Sequence, residues 1–214
     1  MEKLLNIINN KFELTERGSY GFDNIKASGM RFVVNSYKAE SLGFISIMTA
    51  KGFLGLIKME TLIINPTILD LPLLSYDRIH VFGKDKLILE LYDTMNDKQS
   101  LDKITEVKNN YLGYVYESSN KEPHWYDDVR LPETVSFSGK KKNSAEFDVI
   151  AERLIEAYIN TTAPVVTDAE AKAQKIDYYV NGLLNNGGPA TDVFVKKLGK
   201  NITGMLFKNV LFPR

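Results

Sequence analysis

The sequence predicts an α+β domain in which an antiparallel sheet is covered by helices. Three observations predict it. Between Arg31 and Asp93 the chain is a series of short apolar or alternating runs broken by Gly, Asn, Lys and Asp, which is strand patterning with turn punctuation. The connections between those runs are short, which favours antiparallel neighbours over helical crossovers. Apolar residues at helical spacing dominate the last third, and strands grouped before helices belong to the α+β class.

Element by element, "MEKLLNIINNKF" sets Leu4, Leu5, Ile8 and Phe12 at helical spacing, with Gly18 closing the segment. "RFVVNSYKAE", "LGFISIMTAK", "GLIKMETLIINP" and "RIHVFGKDKLILELYD" read as about five strands, with hairpin turns near "AKGFLG" and "FGKDK". Leu101, Ile104, Val107 and Tyr111 then form one helical face behind a candidate cap at Ser100. "SSNKEPHWYDDVRLPETVSFSGKKKNS" is long, polar and aromatic without clear periodicity, a link or a functional loop. Phe147, Ile150, Ala151, Leu154, Ile155 and Tyr158 form a helical stripe, and "TDAE" from Thr167 is a capping-box pattern. "NNGGP" from Asn185 stops that helix, and two short helices follow.

With 214 residues and 44% hydrophobic content, one domain over 1–214 is expected, the sheet mainly in 30–94 and the helices mainly in 99–116 and 144–212. The 27 basic and 27 acidic residues cancel, so no overall field recruits nucleic acid or an anionic membrane. The absence of cysteine removes thiolate nucleophiles, disulfides and zinc–thiolate sites. No signal peptide or long apolar span is read, and the expectation is a soluble cytoplasmic protein. Phosphate loops, nucleophile elbows and closely spaced histidine pairs are missing as well. His80 alternates with apolar neighbours and reads as structural or solvent-facing; His124, beside Trp125, stands between a loop residue and a functional one.

The segment "INPTILDLPLLSYD", ending at Asp77, resembles the ferredoxin-dependent bilin reductases, a superfamily that includes red chlorophyll catabolite reductase. "EPHWYDD", "VSFSG" and the closing "DVFVKKLGKNITGMLFKNVLFP" follow in that family's order, so the resemblance runs from residue 31 to 213. It implies an antiparallel sheet between helical layers, an α/β/α sandwich, with a linear tetrapyrrole held between the sheet and the C-terminal helices. It also implies no permanently bound cofactor or metal: reduced ferredoxin supplies single electrons and acidic side chains supply protons.

Carried onto this chain, the family's proton donor falls on Asp77. Read from the residues alone, Asp77 caps a turn between "LPLLS" and "RIHVF"; as a donor, desolvation raises its pKa. The histidine that some members carry would fall near Glu60 or Thr61 and is absent, leaving Glu60 as a second candidate acid or as a solvated carboxylate. Where some members carry a second aspartate, this chain has Asn185 and Asn186, which can hydrogen-bond a pyrrole but not donate a proton in turnover. Arg31, Lys58 and Arg78 are candidates for the pigment's carboxylates or plain strand residues. Lys140, Lys141 and Lys142 form the dense basic cluster, a candidate ferredoxin dock or solvated loop charge. A non-catalytic tetrapyrrole binder and a protein-interaction domain using "PHWYDD" are the alternative functions.

Overall fold

A computed structural model describes residues 1–116 and 123–214. Its strands are β1 (Leu14–Arg17), β2 (Ile25–Ala27), β3 (Met30–Ala39), β4 (Gly43–Gly52), β5 (Ile57–Asn65), β6 (Leu73–Val81), β7 (Lys84–Tyr92) and β8 (Val135–Lys140). Among the described residues they form one antiparallel sheet in the order β1-β3-β4-β5-β6-β7-β8, with β2 also on β3. From β3 to β7 every neighbour in space is the next strand in sequence, so short reversals suffice. At the β6–β7 reversal, Phe82 and Gly83 take φ of 46° and 79°, the mirror-image turn whose twist matches two antiparallel strands.

The helices are α1 (Glu2–Asn9), α2 (Asp102–Asn109), α3 (Ser144–Ile159), α4 (Ala169–Asn186), α5 (Pro189–Leu198) and α6 (Lys200–Leu206), the last continued by one wide turn, Phe207–Leu211. Because side chains alternate along each strand, the sheet feeds two separate cores. Ile45, Leu62, Leu74, Leu87 and Leu89 face one way and pack with Leu4 and Ile8 of α1, Ile104 of α2 and the predicted stripe of α3. Val34, Met48, Ile63, Leu73 and Tyr92 face the other way and pack with Ile176, Tyr179 and Val180 of α4, Phe194 of α5 and Leu206 of α6. The architecture is therefore an α/β/α sandwich. A buried lysine ties α4 to the β5–β6 connection, Lys172 donating to the Leu71 carbonyl at 2.5 Å and lying 3.4 Å from Asp70.

Several local expectations are corrected. "VSFSG" is not loop but strand β8, in which Val135 and Phe137 are buried while Ser136 between them is half-buried. β1 and β2 lie in a segment read without strands. Leu101, not Ser100, occupies the cap position of α2. At α4 the capping oxygen belongs to Asp168, which accepts from the Ala171 amide at 2.9 Å. Among the described residues no helix is long and apolar enough to cross a membrane.

Candidate functional site

Strand register decides which candidate residues meet. Met48, Thr61, Asp77, Ile88 and Ser136 are direct partners across β4 to β8, and alternation turns this row toward the α4–α6 layer. Asp77 thus sits in the middle of β6, which removes the turn-cap reading. The Thr61 hydroxyl donates to Asp77 Oδ1 at 2.5 Å. Ile88 opposite Asp77, and Ile79 two residues along β6, are half-buried; among the described residues neither packs into either core. They leave an apolar floor beside the carboxyl.

Loss of water around the Asp77 carboxyl pushes its pKa up to about 6; the Thr61 hydrogen bond opposes this, and the charge of Glu90 adds to it. Glu90 shares the face, accepting from the Tyr92 hydroxyl at 2.8 Å and lying 3.5 Å from the Arg130 guanidinium. Tyr92 and Tyr179 rings lie 4.1 Å apart, and burial holds both phenols well above their usual range. Such phenols stay neutral at any working pH. The 123–130 segment closes this side: Tyr126 meets Tyr92 edge-on at 5.8 Å, Trp125 lies 5.8 Å from Tyr179, and Trp125 Nε1 donates to the Gly187 carbonyl at 3.2 Å. His124 stacks on Tyr126 at 5.0 Å and is exposed. The aromatic loop docks on this chain's own α4.

The other candidates do not join Asp77. Glu60 pairs with Arg78 in register, one step out of phase with Thr61 and Asp77, so alternation puts it on the α1–α3 face. There it lies 3.6 Å from the Met1 amino group and lines a hollow of about 440 Å³ with Lys58, Tyr76, His80 and Asp148. Arg78 is buried on that same face. Its guanidinium grips Asp85 at 2.5 and 2.7 Å and lies over the Phe147 ring at 5.0 Å, so it is an internal ion pair and not a ligand for a pigment carboxylate. Arg31 and Lys58 are exposed at one end of the sheet, as are Lys140, Lys141 and Lys142. Asn185 and Asn186 are exposed at the end of α4, Asn185 accepting from Lys200 at 3.2 Å.

Sequence reasoning missed Glu90, Tyr92, Tyr179 and Arg130. Arg130 is the guanidinium on the Asp77 side, held by Asp127 at 2.7 Å and set over the Tyr126 ring at 5.7 Å. Among the described residues, no group of three or more metal-ligating side chains converges.

No protein-family profile matches the chain and no curated protein matches it. Among solved structures it is similar to selenomethionine phytochromobilin synthase from tomato, crystallised in complex with biliverdin, with a TM-score of 0.75 at 13% identity over 97% of this chain and 80% of that one. Its fold is that of phytochromobilin synthase. The phytochromobilin synthase fold accounts for the sheet between two helical layers, and it is the fold the sequence motifs resembled.

Proposed function

We propose that the protein reduces a linear tetrapyrrole with electrons from reduced ferredoxin, Asp77 supplying a proton to the pigment. The carrying observation is the Asp77 carboxyl itself, set on the α4–α6 face with its pKa raised to about 6 beside a half-open apolar floor. An acid poised near working pH is protonated often enough to deliver and ionises readily once it has delivered. The structural neighbour was crystallised with biliverdin, which supports a pigment of that class here. Saturating one double bond takes two electrons and two protons. Asp77 delivers one proton and solvent water the other, and Glu90, sharing the face, raises the proton affinity of Asp77. Glu60 has no part on this face. Tyr179 and Tyr92 offer flat apolar walls, and Arg130 a guanidinium for a pigment carboxylate.

Titration with biliverdin should give a saturable spectral change, and anaerobic addition of reduced ferredoxin should bleach the bound pigment with time. Asp77→Asn should bind with similar affinity and bleach more slowly by about 10²-fold or more, the usual worth of a positioned acid. Saturable binding without bleaching by the wild type would leave a carrier. Absence of binding across a panel of linear tetrapyrroles would sink the proposal.

A further inference from the structure

The ion pair of Arg78 and Asp85 is the centre of a larger cluster that the chemistry at Asp77 does not use. Asp85 is fully buried, and besides the two Arg78 contacts its carboxylate accepts from the Ser144 hydroxyl at 2.7 Å and lies 3.4 Å from His80 Nδ1. Arg78 alone balances its charge. What His80 gains is orientation: a carboxylate at one ring nitrogen fixes the imidazole and leaves the other nitrogen, on the opposite ring edge, to meet a ligand.

His80 is half-buried and opens on a hollow of about 340 Å³ together with Leu56, Lys58, Phe82, Lys84 and Lys141. No acidic side chain lines it. Lys58 is the direct cross-strand partner of His80, and among the described residues Lys58, Lys84 and Lys141 are in no ion pair. Lys51 stands opposite Lys58 and Lys140 opposite Lys84, and like charges so placed destabilise a sheet. Ser144 borders the hollow as the first residue of the 16-residue α3, so the positive end of that helix adds to the same field.

One wall is apolar although folding gains little from it. Phe82 is 67% exposed and Leu56 57%. With φ of 46°, Phe82 also holds the first position of a mirror-image turn that favours Asn, Asp or Gly. An aromatic ring kept in water at a strained position, beside cations without counterions, is the surface that a ligand with both an anionic and an apolar part would cover.

We propose that this hollow is a second ligand site, built for a small phosphate monoester with an apolar body. The phosphate lies among Lys58, Lys84, Lys141 and His80, and the body lies against Phe82 and Leu56. Three lysines exceed what the single charge of a carboxylate requires, and cations on several sides suit a tetrahedral dianion. Strand alternation puts Lys58 and His80 on the α1–α3 face, opposite Asp77, so the site is separate from the pigment face and does not depend on the reductase reading.

Calorimetry of the full chain with phenyl phosphate as the probe tests this. The wild type should bind it saturably, and should bind inorganic phosphate about tenfold more weakly for want of the ring. Lys58→Gln/Lys84→Gln should weaken both by about tenfold or more. Phe82→Asn, which suits the turn better, should bring phenyl phosphate down to the affinity of inorganic phosphate and leave the latter unchanged, while Lys98→Gln, outside the hollow, should match the wild type. A wild type that binds neither phosphate overturns the proposal, as does equal affinity in the wild type and Lys58→Gln/Lys84→Gln. Benzoate bound as tightly as phenyl phosphate also overturns it, the surface then answering to any anion. So does capture on phosphatidic acid vesicles without binding of phenyl phosphate, which would make the surface a membrane contact. Biliverdin should leave the affinity for phenyl phosphate unchanged; displacement by biliverdin would put the anion on the pigment face and sink the separate site.

Discussion

Asp77 works through its neighbours, and they set the pH range in which it holds a proton. The Thr61 hydrogen bond favours the carboxylate and the charge of Glu90 disfavours it. Thr61→Ala should therefore move the alkaline limb of the bleaching rate toward higher pH, and Glu90→Gln toward lower pH. Opposite displacements in the two pH profiles are the expected result; identical profiles would detach the rate from Asp77. The same raised pKa carries a stability consequence. Between the usual carboxylate value of 3.8 and about 6, the folded state holds the proton more tightly than the unfolded chain, so stability declines as pH rises through that window. Asp77→Asn escapes this. It should be more stable than wild type by about 1–2 kcal/mol at pH 8, with the advantage vanishing near pH 4, as chemical denaturation at the two pH values will show. Asp77 stands out in the sequence only through the resemblance carried by "INPTILDLPLLSYD"; read from the residues alone it is a turn cap, and its place in mid-strand needs the register. Its partners Thr61 and Glu90 become visible only through strand register, which depends on turn geometry and not on any local pattern.

At the level of elements, the contact between the 123–130 segment and α4 depends on one missing methyl group. A Cβ placed at Gly182 would stand 2.1 Å from Trp125 Cζ3, so the indole lies where only glycine leaves room. Gly182→Ala should expel Trp125, the single tryptophan of the chain, giving red-shifted emission and weaker tetrapyrrole binding with little loss of helix content. Unchanged emission would show that the segment finds another seat. Helical periodicity made α3 legible, the "TDAE" cap and "NNGGP" stop did so for α4, and turn residues did the same for β3 to β7. The short strands β1, β2 and β8 escaped, because three to six residues carry too little periodicity to stand out from polar surroundings. Trp125 advertised docking, but its partner, a glycine on a distant helix, leaves no mark in a one-dimensional pattern.

For the whole molecule, the sheet keeps two cores apart, one built with α1–α3 and the other with α4–α6. Leu154→Ala in the first and Phe194→Ala in the second should each destabilise by about 2–5 kcal/mol, and the pair should add to within ~0.5 kcal/mol. Melts of the double variant test this, a large deviation meaning that the sheet transmits strain between its faces. Only the Leu154 substitution should leave the Trp125 emission of the folded state untouched. The resemblance carried the two-layer architecture, whereas the assignment of charged strand residues to one layer or the other required the register. That register also sets a rule for how such a sequence can diverge. Asp77 and Arg78 are adjacent in β6 but belong to opposite layers, so deleting one residue between Pro72 and Asp77 would exchange their directions, pressing a carboxyl into the α3 core and turning the guanidinium toward the α4–α6 layer. Side chains along that stretch are free to drift; its length behaves as a reading frame.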